Sequence, residues 1–289
     1  MSERIIYLNG DYLPESEAKL PVLDRGLLFA DAVYEGFGIL DGQIVDFIHH
    51  MQRLERSLGE LSIPMKYSVD EMFHALMGLI KKNNAQSGFL YLHVTRGAGD
   101  RAFHYHEHYI PNIFAFTQGD KFPPDDTPPA IELFTYPDLR WERRDIKSTN
   151  LLAQVMAKQA ANQSGAYEAL MVDGNGLVTE AGSSSFFFIK DKSLYVRPVS
   201  NEILHGITRQ TMLSVAKDSG ISLIERVYSL NEAMEADEAL VTGSSIYILP
   251  VGKIDGNVIG DGKTGAFTLA LRQGYLAKAR SEFYTPKRS

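Results

Sequence analysis

The chain has 289 residues and no cysteine, with 44% hydrophobic and 22% charged residues and a formal net charge of −7. That length accommodates two compact domains with full cores, and the lack of cysteine excludes disulfide staples, thiolate-ligated zinc, iron–sulfur clusters and a cysteine nucleophile. The acidic balance argues against nucleic acid as a partner. Glu3 and Arg4 follow the start directly and no apolar run reaches about 18 residues, so the expectation is a cytoplasmic protein with no membrane partner.

Residues 5–8 and 12–13 flank Asn9-Gly10 and read as a hairpin, and 33–40 with 44–47 read as a second one around Asp41-Gly42. Ile48, Met51, Leu54, Leu58 and Leu61 have helical spacing within 47–61, and Met72, Leu76, Leu79 and Ile80 repeat it within 67–84. Strands are expected at 89–96 and 112–117. Pro123, Pro124, Pro128 and Pro129 stand among acids, which marks 121–129 as a linker. It would separate a smaller N-terminal domain (1–120) from a larger C-terminal one (130–289). The second part predicts a strand at 131–136 and a helix at 151–163 capped by Thr149 or Asn150. Strands at 169–172, 177–180 and 186–189 follow, then a helix at 208–219 closed by Gly220. A strand at 224–228, a short helix at 231–235 and a strand at 239–242 complete the reading. Hairpins with interspersed helices, rather than strict alternation, indicate an α+β fold.

Several clusters could carry chemistry. Gly260-Asp261-Gly262-Lys263-Thr264 resembles a phosphate loop, but that pattern needs a glycine where Asn257 stands, so a surface turn is the better reading. His104, His106 and His108 would share one side of a strand and could converge on a metal. Tyr105, Glu107 and Tyr109 interleave, however, and a polar loop without metal is the expectation. Arg140, Arg143, Arg144 and Lys147 alternate with acids and read first as a solvated charged face, although Lys147 lies directly before an apolar helix. Gly206 and Thr208 sit where a helix starts, so free N–H groups there could bind an anion or simply be capped. Thr179-Glu180, the serines at 183–185 and Thr242-Gly243-Ser244-Ser245 follow strands, where ligand loops and plain turns both occur.

Taken in order, these segments resemble the class IV aminotransferases, the fold-type IV pyridoxal-phosphate enzymes. The marks are Asp24-Arg25-Gly26, Asp31-Ala32-Val33-Tyr34-Glu35, His50-Met51-Gln52-Arg53-Leu54, Thr95-Arg96-Gly97, Asp145-Ile146-Lys147-Ser148, Thr179-Glu180 and the run Ile203–Arg209. Within that family, the stretch from Arg140-Trp141 to Leu151-Leu152 and the serine triplet resemble the D-amino-acid aminotransferases. The resemblance implies a two-domain α+β enzyme, a homodimer, that uses pyridoxal 5′-phosphate and no metal. It would move an amino group between a D-amino acid such as D-alanine and a 2-oxo acid such as 2-oxoglutarate.

It also implies roles. Lys147 matches the lysine that carries the cofactor and shuttles the proton, and Glu180 matches the acid that pairs with the pyridine nitrogen. Arg53, Ile207, Thr208 and Ser244 match the phosphate contacts, Leu204 supports the ring face, and Tyr34 lies beside the lysine and the substrate carboxylate. Arg101 fills the position of a carboxylate-binding arginine. Phe103 stands where the D-amino-acid aminotransferases have a histidine, and His104 is one place further, which on a strand would turn it to the other side. Ser185-Phe186 and Gly243 depart from the typical D-enzyme as well. A branched-chain L-amino-acid or (R)-amine aminotransferase, or an aminodeoxychorismate lyase, on the same scaffold stays open.

Overall fold

The computed structural model describes residues 3–119, 122, 124 and 127–286. Lys121, Pro123, Asp125 and Asp126 of the expected linker lie outside the described residues. The chain divides into two compact units, the first Met1–Lys121 with Ile146–Asn150 and Glu282–Ser289, the second Phe122–Asp145 with Leu151–Ser281. The expected boundaries therefore change, because Lys147 belongs to the first unit. Main-chain pairing is the reason: Ser148 bridges to Val33, the Tyr34 N–H donates to the Lys147 carbonyl at 3.0 Å, and the Thr149 N–H donates to the Ala32 carbonyl at 3.1 Å.

In the first unit, β1 (Ile5–Leu8) and β2 (Asp11–Pro14) form the first hairpin. Asn9 and Gly10 take φ of 52° and 111°, which favours these residue types. Next come α1 (Arg25–Phe29), β3 (Ala32–Leu40), β4 (Gln43–Ile44), α2 (Phe47–Glu60), α3 (Val69–Lys82), β5 (Gly88–Thr95) and β6 (Ile113–Gln118). The described residues make a six-stranded sheet in the order β2-β1-β6-β5-β3-β4, with every pair antiparallel. The periodic apolar residues of α2 and α3, among them Met51, Leu54, Leu58, Met72 and Leu76, bury one face of this sheet with Phe37, Leu90, Leu92 and Val94. By alternation the other face carries Tyr34, Tyr91, His93, Phe114 and Phe116.

In the second unit, β7 (Ile131–Pro137), α4 (Leu152–Gln163), β8 (Glu168–Val172), β9 (Val178–Ala181), β10 (Ser185–Lys190) and β11 (Ser193–Val196) come first. They are followed by α5 (Ile207–Asp218), β12 (Ser222–Glu225), α6 (Leu230–Met234), β13 (Glu238–Gly243), β14 (Tyr247–Ile254), β15 (Asn257–Val258) and α7 (Ala266–Ser281). Its sheet runs β12-β11-β10-β13-β14-β7-β8-β9, with β15 on β14. Three of its pairs are parallel: β11 with β12, β14 with β7 and β7 with β8.

Three local expectations change. The N-cap of α4 is Leu151, without a side-chain bond, because the Thr149 hydroxyl donates to the Ala30 carbonyl instead. The strand expected at 224–228 ends at Glu225. Tyr228 is buried off the strand, where its hydroxyl donates to the Phe186 carbonyl at 2.9 Å. The return strand expected at 44–47 is Gln43–Ile44 alone, because Asp46 already caps α2, whereas segment 98–112 holds no strand, as the polar-loop reading of its histidines expected.

Candidate active site

Lys147 is half-buried. Its Nζ lies 3.4 Å from the Tyr34 hydroxyl and 4.4 Å from the centre of that ring. Among the described residues no carboxylate pairs with it. The backbone is fixed by the bridge to β3 and by its N–H, which donates to Ser57 Oγ on α2 at 3.3 Å. An amine held this way, with no counter-ion, is available to a carbonyl group.

Glu35 follows Tyr34 on β3 and so points to the opposite face. There α2 brings His50 and Arg53, three apart, onto it. Arg53 Nε and Nη2 donate to the two carboxylate oxygens at 2.8 and 2.7 Å, and His50 Nδ1 stands 2.7 Å from Oε2. All three side chains are buried. Burial works to raise the Glu35 pKa, but Arg53 and His50 outweigh it and hold it at about 2. Burial lowers the pKa of His50, against the pull of Glu35. Arg53 is thus a fixed cation whose guanidinium plane is set by a two-point contact.

Arg101 is exposed. Its guanidinium carbon stands 5.4 Å from the Phe29 ring centre and 5.5 Å from that of Phe103. His104 is also exposed, with its ring 5.5 Å from His106. The strand alternation that would have turned His104 away does not apply, because the segment is a loop. Among the described residues, no hydrogen bond or ring contact joins Arg101 to His104, or either of them to Lys147. Nor is any group of three or more His, Asp or Glu among those residues arranged to hold a metal.

In the second unit, Glu180 on β9 is 5% exposed. Arg140 Nη1 donates to its Oε2 at 2.5 Å. Arg140 also forks onto Asp138, with Nε to Oδ1 at 3.0 Å and Nη2 to Oδ2 at 2.8 Å, and the Thr179 hydroxyl donates to Asp138 Oδ2 at 2.6 Å. Burial raises the Glu180 pKa, opposed by Arg140 and by the backbone N–H of Leu204. Arg140 was expected on a solvated face. Its side chain is instead 5% exposed, because one acid partner lies two residues away and the other forty residues on.

Ile207 and Thr208 open α5, where the N-cap Gly206 offers no side chain. Both are buried. Among the described residues, neither their N–H groups nor the Thr208 hydroxyl meets an acceptor. A Cβ at Gly206 would come within 2.9 Å of Ser185 Oγ. Ser244 lies in the turn after β13, and Leu204 is half-buried. The hydroxyl of Thr242, in a strand-end segment singled out from the sequence, is buried and has no partner among the described residues. Among the sequence candidates, the structure brings together Lys147 with Tyr34, Glu180 with Leu204, and Ile207 with Thr208.

The family described as amino-transferase class IV matches residues 32–254. The chain belongs to the class IV aminotransferases. The D-alanine aminotransferase of Staphylococcus haemolyticus is 37% identical over 271 residues, covering 93% of this chain and 96% of that protein. That of Bacillus licheniformis is 36% identical over 263 residues, covering 91% and 93%. Among solved structures, a branched-chain amino acid aminotransferase from Escherichia coli superposes with a TM-score of 0.88 over 99% of this chain and 98% of its own. At 24% identity that likeness shows the fold alone. A T.th. branched-chain amino acid aminotransferase, solved with pyridoxamine 5′-phosphate, is 25% identical, with a TM-score of 0.86 over 97% and 95%. The α+β architecture of this aminotransferase is that of fold-type IV enzymes. No helix among its described residues is long and apolar enough to cross a membrane.

Proposed function

We propose that this aminotransferase moves an amino group between a D-amino acid, D-alanine or one similar to it, and a 2-oxo acid such as 2-oxoglutarate, with pyridoxal 5′-phosphate carried by Lys147. The observation that carries the reading is the half-buried Lys147 amine, without a carboxylate partner and placed against the Tyr34 hydroxyl. The rest of the donor set fits the cofactor's three ends: an amine for its aldehyde, a buried acid for its ring nitrogen, and a fixed arginine with free helix-start N–H groups for its phosphate. Bound there, pyridoxal phosphate supplies an aldehyde that receives the amino group and a ring that withdraws electrons from the substrate Cα.

Each residue then has a task. The Lys147 amine would move a proton from the substrate Cα to the cofactor's aldehyde carbon, and Tyr34 orients Nζ. Glu180 holds the proton on the ring nitrogen. Burial disfavours its charge and Arg140 favours it, so the carboxylate would pair with a protonated ring nitrogen, while Arg140 fixes its direction and the Leu204 side chain would back the ring. Arg53, Ile207, Thr208 and Ser244 neutralise and hydrogen-bond the phosphate. Arg101 binds the substrate carboxylate, with His104 beside it on the loop. A cytoplasmic homodimer that acts on small amino and 2-oxo acids, without metal or nucleic acid, completes the proposal.

Phe103, exposed where the D-enzymes' histidine was expected, favours one second reading, a branched-chain L-amino-acid or (R)-amine donor. A donor panel separates the two. The purified holoenzyme is mixed with D-alanine, D-glutamate, branched L-amino acids or (R)-amines, without acceptor, and the visible absorbance of the bound cofactor is followed. Bleaching by the D-amino acids supports the first reading. Bleaching only by branched L-amino acids or amines replaces it with the second.

A further inference from the structure

Arg101 makes no hydrogen bond or ion pair among the described residues, so its place depends on the loop that carries it and on the rings beside it. That loop has no regular structure between Ala98 and Asn112. A buried arginine far away in sequence holds it. Arg25 opens α1 and is 3% exposed, a burial an arginine tolerates only when fully partnered. Its Nε donates to Asp31 Oδ2 at 2.8 Å. Nη1 donates to the carbonyl of Ala102 at 2.6 Å and to that of His104 at 3.4 Å, and Nη2 to that of Phe103 at 3.2 Å. Three consecutive carbonyls of the loop therefore end on one guanidinium.

The same guanidinium lies 4.7 Å from the Phe29 ring centre. Phe29 in turn stands 5.6 Å from Phe103, and these are the two rings that flank Arg101. Asp31 is shared with Arg96, whose Nε and Nη2 reach it at 2.7 and 3.0 Å. The Arg96 guanidinium lies 3.6 Å from the Tyr105 ring centre, next along the loop. One partly buried carboxylate thus orients two arginines that grip four successive loop residues.

We infer that Arg25, locked to Asp31, is a positioning residue for substrate binding. It fixes the backbone of residues 102–104 and the Phe29–Phe103 rings, so that Arg101 presents its free donors to a substrate carboxylate. The inference rests on the proposal that Arg101 binds that carboxylate. A lysine at position 25 keeps the charge but loses the planar fork. Phe103, 81% exposed, can be shortened without disturbing a core.

The test is steady-state kinetics of the holoenzyme with its best amino donor and 2-oxoglutarate. Arg25→Lys raises KM for both carboxylate substrates about tenfold, the size of a lost charge-assisted hydrogen bond, with kcat and the cofactor's absorbance unchanged. Phe103→Ala raises KM by about two- to fivefold, the size of an exposed cation–π contact. In an Arg101→Ala background, Arg25→Lys adds no further rise. If Arg101→Ala itself leaves KM unchanged, the carboxylate assignment falls and the inference with it. If Arg101→Ala raises KM but Arg25→Lys does not, or if Arg25→Lys raises it equally in both backgrounds, the inference alone is overturned. Should Arg25→Lys fail to fold, an unchanged KM in Phe103→Ala overturns it.

Discussion

Neighbouring residues on β3 are given opposite tasks by the pleat. Tyr34 faces the Lys147 amine, whereas Glu35 faces α2 and holds Arg53 and His50. The Glu35 pKa is depressed from its ordinary 4.5 to about 2, so its stabilising contribution is complete above about pH 4.5 and is lost as pH falls toward 2. The shift amounts to on the order of 3 kcal/mol. His50 acts in the same direction from a higher pH. Burial lowers its pKa below the ordinary 6.5, so the unfolded chain takes up that proton first and stability declines as pH drops through this range. Glu35→Gln leaves Arg53 buried without its counter-charge and costs about 3–5 kcal/mol at pH 7. The variant also has a shallower loss of stability below pH 4.5, measured by denaturant unfolding across pH; a slope equal to that of the unaltered protein contradicts this assignment. Little of the network was legible from composition. Arg140 and Lys147 both read as members of a charged run, and only the order of motifs along the chain set Lys147 apart. The burial of Arg140 depends on Glu180, a partner that sequence spacing does not reveal.

At the scale of elements, local chemistry was legible where it acts locally. The turns at Asn9-Gly10 and Asp41-Gly42 formed where expected, because all four residues take positive φ, although the second hairpin returns only through Gln43–Ile44. The helix expected at 67–84 starts at Val69 because Ser68 and Glu71 form a reciprocal capping box. Ser68→Ala should therefore cost about 1 kcal/mol, read as a lowered Tm with unchanged cofactor binding; an unaltered Tm would show that core packing alone sets this helix start. Elements held by distant partners were missed. β14 is a buried apolar run that contains Pro250 and Gly252, both of which argue against a strand locally, yet it pairs with β13, β7 and β15. In α7 the buried side includes Thr268 and Arg272. Arg272 donates to the carbonyls of Ile246 and Ile248, so the apolar periodicity is blurred.

At the scale of the whole molecule, the expected α+β class and family hold, while the division of the chain does not follow sequence order. Ile146–Asn150 leaves the second unit and pairs with β3 of the first, a main-chain contact between stretches far apart in sequence that no side-chain pattern announces. The consequence is chemical, since the short segment delivers Lys147 to Tyr34. The central claim is that this one amine, among all the lysines of the chain, carries pyridoxal phosphate. The most direct test is to reduce the holoenzyme with borohydride, digest it and locate the phosphopyridoxyl group by mass spectrometry. The account predicts the label on the peptide that contains Lys147, and none after Lys147→Ala. A label on another lysine, or no label at all from cofactor-saturated protein, would contradict it.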